Sequence, residues 1–329
     1  MSRILITGAT GFVGKAVIRD LRARGHTLSG TTRQADLAQG PDGVPLYHVP
    51  DLSVDADWSR IVAGADIVIH LAARAHVMRE HEAGALKKYR ATNRDGSCRL
   101  AAAAAAAGVK RFVFMSSVKA VGEETHSAPF NETDPPIPED AYGISKWEAE
   151  QGLAEIATRT GLELVILRPP LVYGPEAKGN LLTLLRACAR GWPLPLLGVD
   201  NRRSLVSAAN LASAVGVSAL DARAAGATFF VSDGEDISTA DLLRRLAHHM
   251  GREPRLFSVP RSLLSLAYRL PGVGYKVRRL AGSLQVDSGA IRRRLDWTPP
   301  QSLENGLAEM AAWYVSTQGK LTGAMGRET

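Results

Sequence analysis

The chain of 329 residues is 45% hydrophobic and 22% charged, which excludes a disordered or collagen-like protein and leaves room for a core domain with a smaller lobe. Its formal charge of +7 is spread along the chain apart from residues 276–279 and Arg292-Arg293-Arg294. That charge suits an anionic small ligand or an anionic membrane surface, and with no aromatic-plus-basic RNA signature and no zinc-finger spacing, nucleic acid is the weaker reading. Cys98 and Cys188 show neither metal-ligand nor disulfide-framework spacing, as expected in a reducing cytosol. The N-terminus enters a strand pattern at once, without the apolar core of a signal peptide. No apolar run approaches the roughly 20 residues of a membrane span. Residues 263–270 are too short and read as a packed or interfacial helix, so the expectation is a soluble cytoplasmic protein.

In chain order, residues 3–7 read as a short buried strand, followed by Gly8-Ala9-Thr10-Gly11-Phe12-Val13-Gly14 and a helix-periodic segment over 13–24 that stops at Gly25. Residues 28–32 form a second strand, a third short one precedes Asp51-Leu52, and a helix ends over 61–64. Residues 66–71 give another strand, 94–107 an alanine-rich helix closed by Gly108, and 111–115 a strand ending at Ser116-Ser117. A long helix covers 142–158, and the strand 163–167 ends at Arg168-Pro169-Pro170. Continuous apolar strands alternating with helices predict an α/β fold, a Rossmann-type doubly wound parallel sheet with both faces covered. Residues 1–170 form the predicted dinucleotide-binding domain, with returning segments over about 204–232. Residues 171–203 and 233–329 form the smaller C-terminal substrate-binding lobe.

Gly8, Gly11 and Gly14 sit between a strand and a helix, where glycines permit a tight turn and the helix N-terminus offers N–H groups to a pyrophosphate. Thr10, Phe12 and Val13 belong to the same candidate cofactor loop. The end of the second strand selects the cofactor: an acid there suits the ribose 2′-hydroxyl of NAD, an arginine the 2′-phosphate of NADP. Thr31-Thr32-Arg33 has no acid before Asp36, so Arg33 points to NADP, with NAD as the alternative. Asp51, beside Leu52, is placed to bond the adenine amino group.

Tyr142 and Lys146 are four residues apart and share one helix face. A phenol titrates near pH 10, and an adjacent ammonium favours the phenolate, so the pair can act as a tunable acid/base.

Together with His70-Leu71-Ala72-Ala73, Asn93, Ser116-Ser117, Arg168-Pro169, Val172-Tyr173-Gly174-Pro175, Arg202-Arg203-Ser204 and Leu295-Asp296-Trp297-Thr298-Pro299, these motifs resemble the extended short-chain dehydrogenase/reductases, in the nucleotide-sugar epimerase/dehydratase family. The resemblance covers nearly the whole chain. It implies that Tyr142 exchanges a proton with the sugar oxygen, that Ser117 bonds the same oxygen, and that Lys146 holds the nicotinamide ribose and lowers the pKa of Tyr142. Leu71, Ala72, Ala73 and Pro169 would line the cofactor, and Ser116 the substrate. Asn93 resembles the family's structural asparagine. Asn180 and Arg203 match positions that bind the phosphates of a UDP-sugar, with Arg278 and Arg279 as candidates for a further arginine. Dimerisation through helices 94–107 and 142–158 is also implied. No metal is called for.

The family's dehydratases carry an Asp-Glu pair where this chain has Val118 and Lys119, which argues against dehydration. Lys119, and His76 on the loop after the His70–Ala73 motif, are candidate substrate contacts. The pattern further resembles a bacterial polysaccharide-cluster subgroup that includes UDP-4-keto-6-deoxy-N-acetylglucosamine reductases. The expected function is therefore C4 reduction of a UDP-sugar, with 4-epimerisation as the second expectation and a non-catalytic dinucleotide-binding regulator as a remote third.

Overall fold

A computed structural model describes residues 1–52, 57–75, 84–177, 179–259 and 274–325. His76, the segment 263–270 and the side chain of Asn180 lie outside what is described.

The apolar runs become β1 (Arg3–Thr7), β2 (Thr27–Thr32), β3 (Leu46–His48), β4 (Ile67–His70), β5 (Arg111–Met115) and β6 (Glu163–Arg168). Beyond them, β7 (Leu171–Tyr173) and β8 (Arg203–Ser207) pair in a second sheet, β9 (Thr228–Phe230) returns to the first, and β10 (Asp236–Ile237) closes the second. The main sheet runs β3-β2-β1-β4-β5-β6-β9 with every pairing parallel. Strand order reverses between β1 and β4, which places a crevice at the carboxyl ends of those strands. The register pairs Thr7 with His70 and Met115 with Leu167, so the loops after β1, β4, β5 and β6 emerge along one edge.

Both sheet faces are covered, which is why the strands read as unbroken apolar runs. Ile4, Ile6, Ile69 and Val165 pack with Val17, Ile18 and Leu21 of α1 (Phe12–Ala23). On the opposite face Leu5, Val68, Phe112 and Phe114 meet Trp58 of α2 (Trp58–Val62). After α3 (Ala85–Tyr89) that face is completed by Leu100 of α4 (Ser97–Ala106) and Leu153 of α5 (Ala141–Thr160). Each such buried aliphatic side chain contributes about 1.5–3 kcal/mol.

The second lobe is built by α6 (Asn180–Ala189), α8 (Thr239–His249) and α11 (Leu303–Met325), around Tyr173, Leu185, Leu246, Leu307 and Met310. Between them, α7 (Ala208–Leu220) packs against α1 in the main core, and α9 (Gly274–Ala281) and α10 (Gly289–Leu295) precede the last helix. Among the described residues no helix is long and apolar enough to cross a membrane.

Two expectations change. Within the stretch expected to return to the core, β8 pairs with β7 and β10, and it is α7 that reaches the main core. The helix expected over 94–107 is π-helical over Arg90–Gly96 and α-helical only from Ser97. Asn93 within the widened turn and Ser97 just after it both point inward to partners described below.

Candidate active site

Gly8 takes a left-handed φ of +69° and accepts a hydrogen bond from the N–H of Gly11 at 2.9 Å. A Cβ at Gly8 would lie 3.0 Å from the backbone nitrogen of Ala72, and one at Gly14 only 2.2 Å from the carbonyl oxygen of Gly8. The loop thus requires glycines for backbone to meet backbone. Gly11 starts α1 with no side-chain cap, so the first N–H groups of that helix are turned toward a ligand or water. Thr10, Phe12 and Val13 are half-buried around this turn, and Leu71, Ala72 and Ala73 flank it from the end of β4. The cradle fits a dinucleotide pyrophosphate.

Beneath the cradle, His70 is fully buried. Its Nδ1 meets Thr7 Oγ1 at 2.6 Å and its Nε2 meets Ser97 Oγ at 2.8 Å. Ser97 donates to the carbonyl of Asn93 at 2.6 Å, so the proton between His70 and Ser97 belongs to Nε2. Thr7 then donates to Nδ1 and accepts from the N–H of Ala72 at 3.2 Å. Burial, with the charge of Lys146, lowers the His70 pKa to about 3, so the ring is neutral. The chain of bonds ties the glycine loop to the helix behind it.

Arg33 follows the buried Thr31 and Thr32 at the end of β2 and is exposed, as is Asp51. Leu52 is buried in the core, and its carbonyl accepts from Arg99 at 2.8 Å. Pro169 is buried at the end of β6, its carbonyl accepting from the N–H of Val118 at 3.0 Å.

Tyr142, Ser117 and Lys146 come together where β5 ends against the first turns of α5. Ser117 caps the short turn Val118–Ala120 through its hydroxyl, and it favours the Tyr142 phenolate. The Tyr142 ring stands edge-on to Tyr89, with centroids 6.2 Å apart, and the residue is half-buried. Burial pushes the phenol up to about 12, while Ser117 and the charge of Lys119 pull it back.

Lys146 is fully buried, donates to the carbonyl of Met115 at 2.7 Å and lies 4.5 Å from the centroid of the Phe114 ring. Burial lowers it to about 7 against the opposing pull of Glu150. Its bond to Met115 points the ammonium toward the end of β5.

Two expected substrate contacts, Ser116 and Lys119, bond acids of the protein itself. The Ser116 hydroxyl donates to Glu150, which is paired with Arg168 in the interior. Lys119 bonds Glu123 at 2.8 Å and Asp140 at 2.5 Å, because these acids converge on it from the same turn and from the cap of α5.

Asn93 has the structural placement that the family resemblance implies. Its amide donates to the carbonyl of Arg74 and to Ser145, and its Oδ1 accepts from the N–H of Arg74 at 2.8 Å. Tyr173 is structural as well: its hydroxyl donates to Asp233 at 2.8 Å inside the second lobe.

On the substrate side, Arg203 donates to the carbonyl of Gly282 at 2.9 Å. Burial lowers its pKa, and the charge of Arg279 adds to that while Glu124 opposes it. Arg278 points elsewhere, to Glu139 at 2.5 Å and Glu124 at 3.8 Å. Arg202 is exposed.

Sequence reasoning assigned no role to Glu123, Glu150 or Asp140. Local signals existed for each. Glu123 is four residues from Lys119 and Glu150 four from Lys146, and Asp140 stands three before Gly143, whose N–H it caps at 2.7 Å.

A dinucleotide cradle at the switch point and a Ser-Tyr-Lys group on the next strand end define a short-chain-type oxidoreductase fold. Residues 4–230 match the NAD dependent epimerase/dehydratase family, and the chain belongs to it. It is 39% identical to a UDP-glucose 4-epimerase of Vibrio cholerae over 321 residues, covering 96% of this chain and 97% of that protein. At 24% identity it is similar to the Escherichia coli O157:H7 N-acetyl-α-D-glucosaminyl-diphospho-ditrans,octacis-undecaprenol 4-epimerase, with 92% of each chain covered. Among solved structures, MoeE5 in complex with UDP-glucuronic acid and NAD superposes with a TM-score of 0.76 at 25% identity, over 96% of this chain and 99% of that one. The UDP-glucose 4-epimerase of Thermotoga maritima has the same fold, with a TM-score of 0.76 at 24% identity, over 96% and 99% of the two chains.

Proposed function

We propose that the protein is a dinucleotide-dependent oxidoreductase acting at C4 of a UDP-sugar. The observation that carries this reading is the glycine cradle, where backbone meets backbone at the end of β1, with Ser117 at the end of β5 and Tyr142 and Lys146 in the first turns of α5 along the same sheet edge. The nicotinamide, when bound, supplies or accepts the hydride at the sugar carbon. Tyr142 gives a proton to the C4 oxygen during reduction or removes it during oxidation. The Ser117 hydroxyl donates to that same oxygen and fixes it against the phenol. Lys146, poised near neutrality by burial, holds the cofactor ribose and keeps the base of the site in place. Arg203, with Asn180 at the start of α6 and Arg279 as a candidate for a further arginine, receives the diphosphate; a guanidinium suits that charge and shape. Residues 1–170 with 204–232 would hold the dinucleotide, and the smaller lobe the sugar nucleotide.

Within this class, net 4-keto reduction is the first reading. Arg33 stands exposed at the end of β2 with no acid beside it in sequence, which supports NADPH, a cofactor that must be exchanged in each turnover. Full-length similarity to the Vibrio cholerae protein favours the second reading, UDP-hexose 4-epimerisation.

Purified protein is offered a UDP-4-keto-6-deoxy-hexosamine with NADPH, and separately UDP-glucose without added cofactor. Stoichiometric loss of NADPH absorbance supports the reductase; interconversion with UDP-galactose supports the epimerase; neither outcome refutes C4 chemistry. Tyr142→Phe abolishes turnover in either case while dinucleotide affinity stays within about twofold, and residual turnover above a hundredth of wild type removes Tyr142 from the mechanism.

A further inference from the structure

Arg203 opens β8 as a half-buried cation, and among the described residues its side chain bonds a backbone carbonyl and no carboxylate: Nη1 donates to the carbonyl oxygen of Gly282 at 2.9 Å. That oxygen is shared. Asn201, two residues before Arg203 and only 3% exposed, donates its Nδ2 to it at 2.9 Å. The same Nδ2 lies 3.3 Å from the carbonyl of Leu280 and 3.0 Å from Thr239 Oγ1, and Oδ1 accepts from the N–H of Thr239 at 2.9 Å. Acceptors on one side and an N–H on the other leave one orientation for that amide. Thr239 in turn donates its hydroxyl to the carbonyl of Leu280 at 2.7 Å. Asn201 thus ties the end of α9 and the first residue of α8 to the strand that carries Arg203.

The backbone of Arg203 is held separately. The N–H of Leu284 donates to the carbonyl of Arg202 at 2.9 Å, and the N–H of Ser204 to the carbonyl of Leu284 at 2.9 Å. Ser204 Oγ accepts from the N–H of Val286 at 2.9 Å and donates to Asp236 at 2.5 Å, whose other oxygen accepts from Gln285 at 2.6 Å. The strand position is therefore fixed by residues 284–286, whereas the direction of the guanidinium depends on the Gly282 carbonyl. We propose that Asn201 is a positioning residue for the sugar nucleotide: by holding the Gly282 carbonyl it aims the Arg203 guanidinium at the diphosphate. This role rests on Arg203 being the diphosphate contact of the proposed function. One N–H of Arg203 goes to Gly282, and the rest of the fork stays available to phosphate oxygens. A neutral amide suits the task because it leaves the guanidinium charge uncancelled. Arg278 shows the contrast, since Glu139 at 2.5 Å takes up its charge.

The test needs no sugar turnover. UDP is titrated calorimetrically into wild type, N201A, R203M and N201A/R203M, and dinucleotide affinity is measured beside it. N201A raises the UDP Kd about tenfold, and N201D, which sets a carboxylate against the two carbonyls, raises it further. Dinucleotide Kd stays within about twofold in both, a split that general damage to the fold would not produce. In the R203M background N201A adds less than about twofold, because the arginine it aims is gone. T239V keeps the backbone bond to Asn201 and loses the hydroxyl beside it; it raises the UDP Kd about threefold and carries the same cycle if N201A does not fold. An unchanged UDP Kd in N201A, or an equal rise with and without Arg203, overturns the proposal and leaves Asn201 a structural tie within the lobe. If R203M binds UDP as tightly as wild type, the reading of Arg203 fails first and the role of Asn201 falls with it, whereas a weakened R203M beside an unchanged N201A sinks the role of Asn201 alone.

Discussion

Replacing Arg168 with methionine removes one half of the most enclosed ion pair near the site. The Arg168 and Glu150 side chains are 6% and 2% exposed. The guanidinium grips the carboxylate with two bonds, Nε to Oε1 at 3.0 Å and Nη2 to Oε2 at 2.5 Å, and lies 5.7 Å from the Phe230 ring centroid. Methionine preserves much of the stem but leaves Glu150 with Ser116 as its remaining donor among these bonds. Removing one partner of such a buried pair costs about 3–5 kcal/mol, because the stranded charge has lost its counter-ion. At about 2–4 °C per kcal/mol for a large domain, the melting temperature falls by roughly 6–20 °C. The double variant R168M/E150L takes both charges away and recovers most of the loss, since an apolar pair of similar volume is often nearly neutral. Calorimetry and urea titration of the four proteins give the coupling energy directly. A loss below about 1 kcal/mol in R168M, or a double variant as unstable as the sum of the single ones, would show that Glu150 does not depend on Arg168 and refute the reasoning.

Three further outcomes follow from the site. His70 has its folded pKa lowered from 6.5 to about 3, so the unfolded chain takes up a proton that the fold refuses. The resulting stability is fully present above pH 6.5 and declines as the pH falls toward about 3, by up to about 1.4 kcal/mol per unit. The stability gap between wild type and H70Q therefore narrows on acidification, and a gap constant with pH contradicts the assignment. Gly14→Ala forces a Cβ into a carbonyl 2.2 Å away, so the loop must shift. The expected results are a stability loss of about 1–3 kcal/mol and at least tenfold weaker dinucleotide binding by fluorescence titration; unchanged affinity would separate the loop from the cofactor. Arg33→Ala weakens NADPH more than NADH, and equal weakening of both leaves Arg33 a surface residue.

The main sheet was legible because its signals are local. The boundaries of β1 and β5 agree with the expected 3–7 and 111–115, and glycines at 8, 11 and 14 need only their immediate neighbours to declare a turn. The Ser117, Tyr142 and Lys146 group was legible through order along the chain. What escaped were side-chain directions set by distant partners. Lys119 is claimed by Asp140, 21 residues away, and Ser116 by Glu150, 34 residues away; neither pairing is encoded in a short pattern. Spacing on α5 put Lys146 one turn from Tyr142 but gave no sign of its bond to the carbonyl of Met115, 31 residues away. Periodicity likewise treated Arg90–Gly96 as ordinary helix, because widening a turn leaves no mark on composition.

That widened turn has a consequence for how the chain tolerates change in length. A π-helical segment holds one residue more than the α-helix it interrupts, so deleting a single residue anywhere in Arg90–Gly96 gives a better-formed helix. The wide turn absorbs that surplus residue, so the helix on either side keeps its facing. A second deletion or insertion beyond it has no wide turn to absorb it and rotates one side by about 100° relative to the other. Asn93 would then turn away from Ser145 and Arg74, or Ser97 from His70, although every residue touching the ligand remained in the sequence. The stretch thus tolerates a change of one residue and no more.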